Sequence, residues 1–249
     1  MRKGKLNNLL SCKYLVMTSV FLLILIFKSG SCEAYEEIDI PDVRALLNPP
    51  EIYIKEDTLF YNGQITDTSF LVFLKLVNKH PAKTVSISST GGDAENALKI
   101  ASYIFSHGMD VDVRSVCASA CANYIFPAGK NKHLSNDSYL LWHGGLNGPD
   151  RELTVTGNIS KEDFLKLDQI KRLRKEDAEF YKMIDVGLQV SFCPQLNPDY
   201  KDKYPEKWFS YSPEDIEKFG IKNIHYATSA SQWAASMRKK HVIFGNYCN

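Results

Sequence analysis

Apolar and polar positions alternate in short blocks along most of the chain, and the period of each block predicts its element. Ile52-Tyr53-Ile54 and Leu59-Phe60-Tyr61 flank a polar Lys55-Glu56-Asp57, the pattern of a β-hairpin. Phe70 to Val77 has helical spacing, and Thr84 to Ser88 alternates as a short strand running into Thr90-Gly91-Gly92. From Asp93, a favoured helix cap, the apolar positions Ala94, Ala97, Leu98, Ala101 and Ile104 mark a second helix. Val111 to Val116 reads as the next strand, followed by a short helix from Ser119 that ends at Pro127, because proline disfavours helical geometry in the residue before it. Tyr139 to His143 is a further strand. Strand, helix, strand, helix, strand at this close spacing predicts an α/β fold with a mostly parallel sheet covered by helices.

The carboxyl half predicts one long helix over residues 161 to 186, with Ser160 as cap and Asp163 three residues later. Leu167, Ile170, Leu173, Phe180, Tyr181 and Ile184 fall within an arc of about 140°, a packing face for core or subunit contact. Ser212-Pro213-Glu214-Asp215 opens a short helix with proline in its first turn and Gly220 at its end.

Two segments before residue 51 fall outside this pattern. Tyr14 to Phe27 is a 14-residue apolar run preceded by basic residues and closed by Lys28. A membrane span needs about 20 apolar residues, so residues 1 to 34 read as a signal peptide, with an uncleaved amino-terminal anchor as the alternative. Cys32 follows Ser29-Gly30-Ser31, small residues of the kind that precede a lipidated cysteine. Residues 35 to 50, ending in Asn48-Pro49-Pro50, read as a linker, which leaves 51 to 249 as a single domain. In every version the bulk of the chain is exported, to the periplasm or cell envelope.

Thirty Lys and Arg against 29 Asp and Glu give the 249-residue chain a net charge of +1. Five of those bases and one acid lie in residues 1 to 34, so the remainder carries 25 bases against 28 acids. No basic surface for nucleic acid is implied. Export also changes how cysteines read, because an oxidising compartment favours disulfides over thiols. Cys117, Cys121, Cys193 and Cys248 permit three pairings, and the sequence does not choose among them. Cys117 and Cys121, four apart, can meet across one helical turn, which would leave Cys193 with Cys248.

Three segments carry candidate chemistry. Ser89-Thr90-Gly91-Gly92-Asp93 joins a strand to a helix, where glycine lets backbone N-H groups approach a developing oxyanion; taken alone it reads first as a plain glycine turn with a helix cap. Cys117-Ala118-Ser119-Ala120-Cys121 places a serine at the mouth of a helix directly after a strand, as a nucleophile or as a cap. Trp142-His143-Gly144-Gly145 ends a strand with a histidine beside small residues, a base if its ring reaches the hydroxyl. His80, His107, His133, His225 and His241 are scattered without metal-ligand spacing, so neither metal nor cofactor is expected.

Together these segments resemble the Clp protease proteolytic subunit and its crotonase-fold relatives, in particular an exported branch with a C-A-S-x-C-A segment. The resemblance covers about sixty residues, V-S-I-S-S-T-G-G-D-A-E-N-A-L-K-I-A through S-V-C-A-S-A-C-A-N-Y-I-F-P-A-G-K to Y-L-L-W-H-G-G, with a weaker match at W-F-S-Y-S-P-E-D-I-E-K-F-G-I. It implies repeated ββα units, Ser119 as nucleophile, His143 as general base, and an oxyanion hole from Gly92, Gly91 and the Ala120 N-H. The family's third member, an aspartate, falls at Lys207, with Glu206 adjacent and Asp202 and Asp199 a little upstream, so one of these acids is expected to orient His143 instead. The implied function is an exported, ATP-independent serine peptidase acting on peptide or protein substrates, with ring or other homo-oligomer formation through the long helix. The alternative is a catalytically inactive crotonase-fold scaffold protein in the cell envelope. Use of Cys121 as nucleophile would require a free thiol.

Overall fold

The computed structural model describes residues 50–155 and 157–248; the signal-peptide or anchor segment and all but the last residue of the linker lie outside these. A hairpin of β1 (Glu51–Lys55) and β2 (Thr58–Asn62) turns through Glu56-Asp57, with Glu56 in the left-handed region at φ 57°. From β2 onward the pairing is parallel: β3 (Thr84–Ser89), then β4 (Asp110–Ala118), the nine-residue central strand. The far edge of β4 is shared. Val111–Val113 pair with β5 (Lys132–Leu134), which continues to β8 (Ile224–Tyr226), whereas Val116–Ala118 pair with β6 (Tyr139–Leu141). A separate two-stranded sheet joins β7 (Ser210–Tyr211) to β9 (Phe244–Gly245). The result is a mixed α/β fold whose mostly parallel central sheet is flanked by helices, as the alternation predicts.

Helices α1 (Asp67–Lys79) and α2 (Ala94–Ser106) start where the sequence offers caps. Thr66 and Ser69 cap α1 reciprocally, and the Asp93 carboxylate accepts the Asn96 N-H at 2.8 Å. The buried face of α2 is Ala97, Leu98, Ile100, Ala101 and Ile104, and the β3 residues from Val85 to Ser89 are all buried, in one core. Trp142 and Trp233 are fully buried, the latter donating its indole N-H to the Ser138 carbonyl.

Two expectations are corrected here. The helix after Ser119 does not stop at Pro127: a π-helical turn, Cys121–Ile125, runs into α3 (Phe126–Ala128). Proline has no N-H for the carbonyl four residues back, and that Asn123 carbonyl instead accepts the buried Tyr181 hydroxyl at 2.8 Å. The long helix is also divided, into α4 (Lys161–Lys166) and α5 (Asp168–Met183), because Leu167 leaves helical geometry at ψ 132°. Asp168 supplies an acid to the new first turn, and Leu167, expected on the packing face, is exposed, while Ile170, Leu173, Phe180 and Tyr181 keep it. The segment 200–249 adds α6 (Tyr200–Lys203), α7 (Pro213–Lys218) and α8 (Ala230–Lys239). Ser212 caps α7 and Gly220 follows it with positive φ, as its residues predict.

Both disulfides form, Cys117–Cys121 and Cys193–Cys248, the covalent signature of an oxidising, exported environment. Among the described residues no helix is long and apolar enough to cross a membrane. The Tyr14–Phe27 run lies outside them.

Lys132 on β5 is buried, and desolvation lowers its pKa to about 8. Its cation is therefore a cost of folding below that pH. Because the unfolded chain binds the proton more tightly, stability rises with pH between about 8 and the ordinary lysine range. Lys132→Met is expected to stabilise the protein by roughly 1–3 kcal/mol at pH 7 and by progressively less above pH 8 in denaturant titrations.

Candidate active site

Three loops meet at the carboxyl ends of β3, β4 and β6, the edge of a parallel sheet where ligand sites form. Ser119 follows β4 with φ 56°, a left-handed turn unusual for serine. Its N-H donates to the Leu141 carbonyl of β6 at 2.9 Å, and its carbonyl accepts the Asn123 N-H at 2.8 Å. The Cys117–Cys121 bridge closes a five-residue loop around it. Gly91 faces this turn at φ 89°; a Cβ there would lie 2.5 Å from the Ala118 carbonyl oxygen and 2.8 Å from the Ala120 nitrogen, so only glycine permits the approach.

His143 follows β6, and its Nε2 lies 2.7 Å from the Ser119 Oγ, within hydrogen-bond reach for proton transfer. Trp208 packs on the imidazole with ring centroids 4.3 Å apart, and Trp142 and Phe209 exchange backbone hydrogen bonds that hold the two segments together. The Gln195 side-chain amide donates to the His143 carbonyl at 2.9 Å, and the Asn123 amide donates to the Gly144 carbonyl at 2.9 Å. Gly144 and Gly145 let Gln195 and Ser191 come this close. Gln195 is tied down in turn, two residues from the Cys193–Cys248 bridge.

Around this pair lies a cleft of about 510 Å³ whose walls include Gly92, Ala120, Asn123, Tyr124, Glu152 and Lys207. Among the described residues no hydrogen bond consumes the N-H of Gly92 or of Ala120, so both are available to an anionic oxygen beside Ser119. His143 keeps part of its surface open to the cleft while Trp208 and the cleft wall cover its ring. Desolvation of its ring first, and the Lys207 ammonium second, hold its pKa below the ordinary histidine value, so the imidazole is neutral at pH 7.

The structure therefore brings Ser119, His143, Gly91, Gly92 and Ala120 to one place. It does not bring Asp202 or Glu206 there: Asp202 is exposed on α6, Glu206 half-buried before Lys207, and neither lines the cleft. The orienting contacts of His143 are neutral ones, from Trp208 and Gln195. Sequence reasoning missed both, since contacts reaching across 52 residues or more leave no periodic trace; the one local signal is the position of Gln195 beside Cys193. Cys121, bound in a disulfide, has no thiol to serve as nucleophile. No group of His, Cys, Asp and Glu among the described residues is arranged to hold a metal ion.

Compared with protein-family models and with curated proteins, the chain matches none.

The influence of Lys207 on His143 is measurable directly. Followed by NMR, the His143 imidazole is expected to titrate below the ordinary value of about 6.5. Lys207→Gln removes the repelling charge and moves the midpoint up, and Lys207→Glu moves it further up; an unchanged midpoint in both would show that Lys207 does not act on the ring.

Proposed function

We propose that the protein is an exported serine hydrolase, a peptidase that works without ATP through an acyl-enzyme on Ser119. The observation that carries this is the 2.7 Å contact between His143 Nε2 and Ser119 Oγ at the carboxyl ends of parallel strands. In the proposed reaction Ser119 Oγ attacks the scissile carbonyl and its proton passes to His143 Nε2. The negative charge on the carbonyl oxygen is received by the N-H groups of Gly92 and Ala120. Collapse of the tetrahedral intermediate breaks the C-N bond, and the amine leaves with the proton from His143. Water, deprotonated by the same imidazole, then releases the acyl group and restores the serine.

The resemblance to the Clp protease subunit and its crotonase-fold relatives supports the same assignment. So do the hairpin-then-helix opening and the positions of Ser119 and His143 on neighbouring strand ends. On this basis the fold belongs with the repeated ββα units of that group, and the substrate is a peptide or an unfolded protein segment. A neutral imidazole with a lowered pKa is a correctly protonated but weak base, so turnover is expected to be slow beside that of enzymes with an aspartate behind the histidine.

A second assignment, a scaffold that retains the fold without the chemistry, is favoured by one observation: Lys207 occupies the place where the resemblance expects an acid, and its charge opposes the imidazolium. Fluorophosphonate labelling followed by intact mass separates the two. Wild type is expected to gain one adduct, and Ser119→Ala and His143→Ala to react at least roughly a thousandfold more slowly. A folded wild-type protein that gains no adduct is a scaffold.

A further inference from the structure

The cleft carries a charge pattern opposite to that of the rest of the exported chain. Arg151, Lys161, Arg174, Lys201 and Lys207 line it against a single carboxylate, Glu152, although residues 35 to 249 hold more acids than bases. Part of this charge is neutralised locally. Arg174 is paired with Asp150 at 2.6 Å, while Arg151 and Lys201 share Glu152 at 3.5 and 3.7 Å. The remaining two have no carboxylate: Lys161 gives its ammonium to the Asp150 carbonyl at 3.0 Å, and Lys207 makes no salt bridge with any described residue. Cationic side chains in a confined cleft focus their field on whatever enters it.

We propose that the cleft selects peptides that carry a carboxylate next to the scissile bond, held by Lys207 with Lys161 farther along the wall. This rests on the hydrolase assignment above and adds a substrate class to it. Lys207 stands beside the reacting pair: it immediately precedes Trp208, which packs on His143, and it shares the cleft wall with Ser119 and His143. Its effect on the His143 proton is the electrical counterpart of that placement. A substrate carboxylate paired with Lys207 offsets the charge that disfavours the imidazolium. The base is thereby strengthened when a correct substrate is bound, and the missing aspartate is compensated by the substrate itself. Lysine ammonium groups suit this task, being point charges that accept a carboxylate from several directions. The carboxylate can belong to an acidic side chain or to the free end of a peptide.

The test uses the full exported protein and internally quenched peptides that differ only in Glu or Gln beside the scissile bond, each made with a free or an amidated carboxyl end. The ratio of kcat/KM for the Glu peptide over the Gln peptide is read, so that changes in the shared machinery cancel. In wild type at low salt a ratio of at least about ten is expected, falling towards one at about 1 M salt, where screening is strong. Lys207→Gln should bring the low-salt ratio close to one, Lys207→Glu below one, and Lys161→Gln part of the way. A preference that follows the free end instead, and disappears on amidation, assigns the carboxylate to the peptide terminus and equally supports the proposal. A Ser119 that reacts with fluorophosphonate but shows no preference for either carboxylate, or cuts none of the peptides, overturns the proposal and leaves the activated serine standing. No adduct at all overturns both.

Discussion

Ser119 holds a left-handed backbone conformation at the end of β4, and the geometry of the site depends on it. For an L-residue this conformation costs about 1–2 kcal/mol, so the surroundings must enforce it. Three do. The Leu141 carbonyl takes its N-H, Gly91 permits the backbone of the preceding loop to close over it, and the Cys117–Cys121 bridge fixes the strand end to the π-helical turn. With the turn held in this way the hydroxyl meets the next strand end, where His143 stands, and the Ala120 N-H remains without a backbone partner. The strain is local, and its effect is to place a nucleophile and a donor within one turn of chain, facing the base on the neighbouring strand end.

The second disulfide serves the other half of the site. Cys193–Cys248 anchors the second of two successive helical turns, Leu188–Ser191 and Cys193–Leu196, whose Ser191 and Gln195 pack into the space left by Gly145 and Gly144. Gln195 then fixes the His143 backbone, and Trp208 covers the ring. An imidazole positioned by amide, indole and packing contacts is well placed, but among the described residues no carboxylate supports it. Lys207 adds an opposing charge. Placement and charge thus pull in different directions at this site, and the charge is the part a bound anion can change.

Much of this was legible in the sequence where periodicity is local. The hairpin, β3, α2 and β4 follow from alternation and from the Asp93 cap, and Ser119, His143 and the glycine loop stand out because each sits where a strand ends. β5 and β8 were not legible, since Lys132-His133-Leu134 and Ile224-His225-Tyr226 offer no apolar run of the kind that marks Tyr139 to Trp142, and neither was α8, whose buried positions are only Trp233, Ala234 and Met237. The continuation through Pro127 depends on the Tyr181 hydroxyl, 58 residues from the carbonyl it satisfies. Leu167 fits the helical period and still leaves the helix, because a periodic pattern does not record where a helix restarts. The neutral partners of His143 were hidden for a related reason: a search for a triad looks for an acid, and Gln195 and Trp208 are not acids.

If the clamped turn is what activates Ser119, removing the clamp should reduce reactivity before it affects the fold. The most direct measurement is the rate of fluorophosphonate acylation of a Cys117→Ala, Cys121→Ala double variant whose thermal unfolding shows it to be folded. The account predicts that the rate falls at least about tenfold, a cost of about 1.4 kcal/mol or more in the positioning of the serine. A folded double variant that acylates at the wild-type rate would contradict it.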